Sequence, residues 1–271
     1  MAALRDRYQS THVRSFGAKL FLDGVAPSRT AAFLEPYGGS PCGCTQDPFD
    51  ADTLLITPPI QLGKDVAELD RAGFLIKMHA VGDRAVQAGL DAIEGARKEN
   101  GDSGLRHEIA HTTFVSNTDL TRFASLGAIA EVSPKLWFPN PITAGQIKIL
   151  GGDRAQRCHP IASLLNAGAE VTYGSDWPAA APDASPWSGL CGMLTRKDAT
   201  NKYPGSVGLD EAIDIKKALQ IMVTNGARAL DIEHLTGKLS LGMSADFILL
   251  DRNIFRIDPS EISETTVKQT V

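Results

Sequence analysis

Residues 74–100 read FLIKMHAVGDRAVQAGLDAIEGARKEN, and this stretch decides the fold class. Its first part, 74–78, is an apolar run rich in β-forming residues that ends directly before His79. Over 83–100 the apolar residues recur at three- and four-residue spacing, which is typical of an amphipathic helix. Gly101 comes directly after this segment, and glycine is common just past the C-terminal end of a helix. The stretch therefore predicts one strand followed by one helix.

The same unit recurs along the chain. Four more short apolar runs alternate with segments of helical spacing, at 18–22, 108–110, 128–132 and 170–173. In one of these segments Ser116 is a candidate N-cap, and Gly127 lies just past the helix end. Repeated strand and helix units with short connections predict a parallel sheet. Five such strands fit either part of a (β/α)8 barrel or a doubly wound sheet, and periodicity does not choose between them.

The pattern changes after residue 210. Residues 210–230 predict a helix that is broken near Asn225-Gly226. Residues 236–251 predict two short strands around a turn at Gly242. The C-terminal segment therefore resembles a small β appendage.

The composition limits the classes of function. Of the 271 residues, 43% are hydrophobic and 22% are charged, as in packed globular proteins. The net charge is -5 and no Lys/Arg cluster is present, so we expect no nucleic-acid partner. No apolar run approaches the roughly 20 residues of a membrane helix, and the start lacks a signal-peptide core, so we expect no membrane partner and a cytoplasmic location. The cysteine spacing fits neither disulfides nor a zinc site, and we expect reduced thiols at Cys42, Cys44, Cys158 and Cys191.

Three polar residues follow predicted strands at the point where each strand ends. They are His79, His111 and Asp176. In barrel enzymes the catalytic groups project from the carboxyl ends of different strands, because the loops there meet at one mouth. Two imidazoles with a carboxylate suit zinc or a similar divalent ion. The metal would lower the pKa of a water, and Asp176 would accept its proton as general base during attack on a carbonyl carbon.

Lys19 lies inside the first predicted strand. A lysine that faces a barrel interior needs a partner for its charge. As a free amine of lowered pKa it would form a Schiff base with a carbonyl substrate. Carboxylated by CO2, it would become an anionic bridge between two metal ions. The residues alone leave both alternatives open.

Further charged and aromatic residues lie near these strand ends. Candidate substrate contacts are Asp23, Arg29, Arg84 and Trp177. Their alternative roles are ion pairs for the charged residues and core packing for the tryptophan.

Five motifs occur in an order that resembles the amidohydrolase superfamily, in the branch that includes N-substituted formamide deformylase. They are 18–24 (AKLFLDG), 78–85 (MHAVGDRA), 106–111 (RHEIAH), 174–178 (GSDWP) and 237–251. The resemblance covers nearly the whole chain. It implies a small-molecule amide-type substrate and hydrolysis of a C–N bond.

The resemblance also implies a fold and a set of roles. The fold would be a (β/α)8 TIM-type barrel, with residues 1–230 as a partial barrel and residues 231–271 as strands of a small β-sandwich domain. Lys19 would be the carboxylated lysine of strand 4, His79 and His111 the metal ligands of strands 5 and 6, and Asp176 the ligand and base of strand 8. His107 competes with His111, because residues four apart in a strand share a face.

One element of the family pattern is missing from this sequence. The His-x-His pair at the end of the first strand does not occur, and His12 stands alone. We therefore expect a chain that lacks strands 1 to 3 and has one nearly complete metal site. Three hypotheses follow: an impaired metal-dependent hydrolase with one or two zinc ions, a non-catalytic subunit completed by a partner chain or homo-oligomer, and a Schiff-base enzyme using Lys19.

Overall fold

A five-stranded parallel sheet forms the centre of the molecule. The computed structural model describes residues 5–10, 13–38, 49–137, 139–179 and 183–271, so His12, Cys42 and Cys44 lie outside the described residues. The strands are β1 (Gly17–Phe21), β2 (Leu75–Ala80), β3 (Glu108–His111), β4 (Ile129–Val132) and β5 (Glu170–Tyr173). Each pairs in parallel with its sequence neighbour, in the order β1-β2-β3-β4-β5. The five predicted strands and their parallel arrangement are confirmed.

The strand order decides between the two fold types left open by the sequence. A doubly wound sheet reverses its strand order at a switch point, whereas this order never reverses within the described chain. The sheet is thus wound in one direction, as in a barrel, and β1 and β5 are its two edges in the described part of the chain. The assignment of these strands as numbers 4 to 8 of a barrel stays a prediction.

Helices connect the strands and continue after β5. They are α1 (Pro59–Arg71), α2 (Asp83–Asn100), α3 (Leu120–Leu126), α4 (Pro141–Leu150), α5 (Gly152–Gln156), α6 (Ile161–Asn166), α7 (Pro186–Thr195), α8 (Ile215–Met222) and α9 (Thr224–Ala229). Proline begins α1, α4 and α7, where its missing N–H costs no intrahelical hydrogen bond. No helix in the described ranges combines the length and the apolar character needed to cross a membrane.

The helix ends agree with the sequence in two cases and differ in one. Gly101 and Gly127 follow α2 and α3 as predicted, and Gly127 has a φ of 62°. The prediction that Ser116 caps α3 is wrong, because α3 begins at Leu120 with Asp119 at the N-cap. The Ser116 hydroxyl bonds Thr118 instead, within the turn before the helix.

The two faces of the sheet have different surroundings. Ile76, Met78 and Ala80 of β2 are fully buried in a core that includes apolar residues of α1 and α2. The alternate positions, Lys77 and His79, point to the opposite face, since side chains alternate along a strand. That second face carries the polar residues of the candidate site.

The C-terminal segment forms a separate two-stranded antiparallel sheet of β6 (Ile248–Leu250) and β7 (Val267–Thr270). Of the two strands predicted around Gly242, the first is wrong, because residues 236–241 form no strand, and the second is β6, which pairs with β7. The predicted helix over 210–230 begins later, at Ile215, and its break lies at Val223, whose φ and ψ are −110° and −71°, two residues before the predicted position near Asn225-Gly226. The division into domains at residue 230 stays a prediction.

Candidate metal centre

Two histidines meet at the carboxyl end of the sheet. His79 lies near the end of β2, and His111 is the last residue of β3. Their ring centroids are 4.6 Å apart, with 69° between the ring planes. Both side chains are mostly buried, with 8% of each residue exposed. The structure thus brings the two histidines predicted as ligands into direct contact.

Each of these imidazoles has one nitrogen hydrogen-bonded to the protein. His79 Nε2 lies 3.1 Å from the Gly24 carbonyl oxygen, which only accepts, so Nε2 donates a proton and Nδ1 keeps a lone pair. His111 Nδ1 lies 3.2 Å from the hydroxyl of Ser133, which leaves Nε2 for a ligand. Desolvation lowers the pKa of His79 below 6.5 and lowers the pKa of His111 to about 3. Both rings are therefore neutral near pH 7, as metal ligands must be.

Strained backbone surrounds these histidines. His111, Thr112 and Asp176 have φ values of 70°, 44° and 52°, in the left-handed region. For residues other than glycine this conformation costs about 1–3 kcal/mol each and persists only where neighbouring contacts enforce it. Strain of this kind is typical of functional sites.

Lys19 lies on β1 in register with Lys77 of β2. Its side chain is exposed, makes no hydrogen bond or salt bridge to any described residue, and lies 5.4 Å from the centre of the Phe21 ring. Although the residue is exposed as a whole, its amine is partly desolvated. This desolvation and, next, the charge of Lys77 lower the pKa of Lys19. The neutral amine, which is the form that reacts with CO2 or a carbonyl, is thereby favoured.

Lys77 differs from its neighbour on β1. Its Nζ lies 3.1 Å from Glu108 Oε2 and 3.8 Å from Glu131 Oε2. Desolvation lowers the pKa of Lys77, but the two carboxylates outweigh it and leave that pKa above 10.5. Of the two lysines in register, Lys19 is therefore the one suited to act as an amine.

Asp176 follows β5 in a half-buried position. Desolvation raises its pKa above the usual 3.8, and the charges of His79, Lys19 and Lys77 oppose that rise. The Asp176 carboxylate therefore interacts electrostatically with two other predicted site residues, His79 and Lys19. Trp177, the next residue, is 55% exposed, and its role as a substrate contact stays a prediction.

Two of the predicted donors meet in this structure, and their chemical type suits a divalent ion. Among the residues that the structure describes, no group of three or more His, Cys, Asp or Glu side chains lies together as a metal cluster. The contacting pair is His79 and His111, and a third ligand has to come from a carbamate on Lys19 or from Asp176. Neutral imidazole nitrogens with carboxylate-type oxygens are the donors that zinc accepts.

His107 lies apart from this pair. It is fully buried, and its Nδ1 accepts a hydrogen bond from the Ile76 N–H at 3.1 Å. Its Nε2 lies 3.0 Å from Asp70 Oδ1. Both ring nitrogens have protein partners, so no lone pair is left for a metal, and the geometry favours His111 as the ligand.

Asp23 was predicted as a substrate contact, and the structure places it inside the protein. Its carboxylate accepts hydrogen bonds from the backbone N–H groups of Ala32, Val81 and Gly82 at 2.9, 3.0 and 2.8 Å. Desolvation raises its pKa to about 7, although these three donors pull it down. Asp23 therefore ties the loop after β1 to the loop after β2, beside His79, whose Nε2 lies 3.7 Å from Asp23 Oδ1.

The two arginines predicted as substrate contacts have partners within the protein. Arg84 Nε donates to Asp52 Oδ1 at 2.6 Å. Arg29 donates to the Gly38 carbonyl at 3.2 Å, and its guanidinium lies 5.5 Å from the centre of the Tyr37 ring. Their roles in substrate binding stay predictions.

Three residues near the site were missed by the sequence reasoning. Glu131 and Ser133 hydrogen-bond His111, and His159 is fully buried near it. For Glu131 a signal existed, namely a carboxylate inside the apolar run 128–132. His159 stacks on Trp137 with ring centroids 5.3 Å apart, and both its ring nitrogens lack a hydrogen-bond partner in the described structure.

This buried histidine leads to a prediction about acid stability. Desolvation holds the pKa of His159 well below 6.5, so at lower pH the unfolded chain binds a proton that the folded chain does not. Its contribution to stability is complete above pH 6.5 and is lost progressively as the pH falls below that value. We expect His159→Phe to lose less free energy of unfolding between pH 7 and pH 5 than the wild type, in urea titrations. Equal losses would contradict the prediction, and the exposed His234, changed to alanine, serves as control.

The winding of the sheet and the residues at its carboxyl end together define a barrel-type α/β protein with a candidate site for a divalent metal. The chain belongs to the amidohydrolase family, whose sequence model matches residues 3–271.

Individual relatives agree with this assignment. The chain is 31% identical to the protein LONG AFTER FAR-RED 3 of Arabidopsis thaliana, over 88% of this chain and 38% of that protein. It is 27% identical to N-substituted formamide deformylase of Arthrobacter pascens, over 74% of this chain and 36% of that enzyme. The chain thus spans less than half the length of these two relatives.

A solved structure of an uncharacterized metal-dependent hydrolase from Pyrococcus horikoshii has a similar fold. The TM-score is 0.73 at 25% identity, and the match covers 95% of this chain and 50% of that one. This similarity supports the barrel-type assignment of the sheet.

Proposed function

We propose that this chain carries metal-binding and acid–base residues of a metal-dependent hydrolase that cleaves a C–N bond in an amide- or formamide-like small molecule. The observation that carries the proposal is the contact of the two neutral imidazoles of His79 and His111, 4.6 Å apart. The name of the Arthrobacter relative, N-substituted formamide deformylase, supports the class of bond.

Each residue has a role in this proposal. His79 and His111 hold one divalent ion, most simply zinc, through the nitrogens that make no protein hydrogen bond. When bound, the ion polarises the substrate carbonyl and lowers the pKa of the attacking water. When the Lys19 amine adds to CO2, an N–C bond forms, one C–O π bond of CO2 opens to an oxyanion and the amine proton passes to solvent, which gives a carbamate. Asp176 accepts the proton of the attacking water, and its raised pKa makes it a stronger base than an ordinary aspartate.

A metal titration tests the proposal. We expect the purified chain, stripped with a chelator, to bind one equivalent of zinc in the presence of bicarbonate, and to bind it more weakly without bicarbonate. Lys19→Met is expected to lose this dependence on bicarbonate, and His234→Ala is the matched control for surface histidines. Less than one equivalent of zinc in the wild type contradicts a competent site.

A second candidate function rests on the exposed sheet. In the described part of the chain β1 and β5 are edges, and Phe21 on β1 is 56% exposed. Such surfaces favour association with another chain. In this alternative the chain is a subunit whose metal site is completed by a partner or a second copy. Sedimentation of the zinc-titrated samples distinguishes the two candidates, since only the second requires a higher mass when metal binds.

A Schiff-base enzyme remains the third hypothesis. The lowered pKa of Lys19 suits it, but it leaves His79, His111 and Asp176 without a shared role.

A further inference from the structure

The register of β3 places His111 on the wrong face of the sheet for a site residue. Its ladder partners are Ala80 and Val132, which are both fully buried in the core. His79 is instead the partner of Ala110. Because partners in a parallel ladder point to the same face, a regular strand would direct the His111 ring into the core. The ring nevertheless lies beside His79.

A kink at the end of β3 explains this difference. His111 and Thr112 have successive φ values of 70° and 44°. Thr112 is β-branched, and such residues rarely adopt a positive φ. Two successive residues in this region require neighbouring contacts that hold them there.

Glu131 of β4 holds both residues of the kink. Its Oε2 accepts the His111 N–H at 3.2 Å, and its backbone carbonyl lies 3.1 Å from the Thr112 hydroxyl, which it shares as an acceptor with the Ile109 carbonyl at 2.9 Å. The residue is only 4% exposed. The side chain of Glu131 and its main chain thus each fix one residue of the kink.

The position of the Glu131 carboxylate is itself determined by close neighbours. Lys77 Nζ lies 3.8 Å from Oε2. On the other side the carboxylate packs against Gly174, where an added Cβ would lie 1.6 Å from Oε1. Gly174 precedes Asp176 by two residues, so one carboxylate contacts the strand of His79, the kink of His111 and the turn that leads to Asp176.

We propose that Glu131 is a positioning residue, which keeps the His111 ring beside His79 by holding the kink at His111 and Thr112. The proposal rests on the proposed function only in its consequence for metal binding. A carboxylate that orients a ligand through its backbone acts outside the ligand set, and loss of such outer contacts typically lowers metal affinity by about 10–100-fold.

Four variants separate positioning from general destabilisation. Glu131→Met keeps the volume of the side chain but removes the acceptor, whereas Glu131→Gln keeps an oxygen acceptor. Thr112→Val removes the hydroxyl that bonds the backbone carbonyls of Glu131 and Ile109. Glu108→Gln is the matched control, because Glu108 also pairs with Lys77 and is buried, but makes no hydrogen bond to His111.

Two measurements report on the position of the His111 ring. The first is the NOE between ring protons of His79 and His111 in the metal-free protein. The second is the zinc affinity, by competition with a chromophoric chelator. We expect Glu131→Met to lose the NOE and to bind zinc about 10–100-fold more weakly. Glu131→Gln and Glu108→Gln are expected to keep both the NOE and an affinity close to that of the wild type.

Other outcomes overturn the inference. An unchanged NOE and unchanged affinity in Glu131→Met would show that the kink does not depend on the carboxylate. An equal loss in Glu108→Gln would show a general effect of the charged network. If Glu131→Met fails to fold, Thr112→Val decides, with a weakened NOE expected and an unchanged NOE overturning the inference. If the wild type binds no zinc, the proposed function fails, while the NOE comparison still tests the role of Glu131.

Discussion

Replacing His111 with alanine is expected to lower the affinity for zinc by about two orders of magnitude. Structural zinc sites bind with roughly 10–16 kcal/mol shared by four ligands, so one ligand accounts for about 3 kcal/mol. His111 is suited to this role because its pKa, lowered to about 3, keeps the ring neutral at pH 7. No energy is then spent on removing a proton before a metal binds.

The measurement is a competition titration in the presence of bicarbonate. His79→Ala is expected to show a loss of similar size, and the double variant is expected to lose less than the sum, because residues of one site are not additive. His234→Ala, an exposed histidine without a role in the site, is the control. An affinity for zinc that is unchanged in His111→Ala would remove this histidine from the site.

Asp23→Ala is expected to lower the free energy of unfolding by about 3–5 kcal/mol, because it leaves three buried N–H groups without an acceptor. Each unsatisfied buried donor costs about 1–3 kcal/mol, and partial entry of water limits the total. The affected N–H groups belong to Ala32, Val81 and Gly82. Urea denaturation of the metal-free protein at pH 7 measures the change.

A milder variant and a surface control complete this experiment. Asp23→Asn keeps one carbonyl oxygen and is expected to lose less stability than the alanine variant. Asp153→Ala, at an exposed position, is expected to change the free energy of unfolding by less than about 1 kcal/mol. A loss of less than about 1 kcal/mol in Asp23→Ala would show that water replaces the carboxylate freely.

The zinc affinity of Asp23→Ala distinguishes a structural role of Asp23 from a role in substrate binding. The loop that Asp23 fixes also carries Gly24, whose carbonyl holds His79 Nε2. A weaker zinc affinity in the folded variant is therefore expected, together with the loss of stability. A pure substrate contact would leave both the zinc affinity and the stability unchanged.

Most of the sheet was predictable from local patterns. The runs at 108–110 and 170–173 coincide with β3 and β5 within one residue, because short apolar segments bounded by turn residues have few alternatives. The pairing of β6 was not predictable. Its partner β7 begins 17 residues after the end of β6, and strand partners at that distance are chosen by contacts outside the local sequence.

Two features follow from the local sequence: the alternation of strands and helices, and the placement of His79, His111 and Asp176 at strand ends. Both are set by the period of apolar residues along the chain, which is a local property. The sequence also pointed to the amidohydrolase family, through motifs that can be identified without a structure.

The choice of side chains that share the site depends on the folded chain. His107 lies directly before β3 and His111 is its last residue, so the two have the same parity along the strand. They differ because His107 bonds Asp70 while Glu131 holds the kink at His111. Lys19 and Lys77 differ in the same way, since only Lys77 has carboxylates within 4 Å among the described residues. Such differences arise from hydrogen bonds and charges between distant segments, and the folded chain alone brings those segments together.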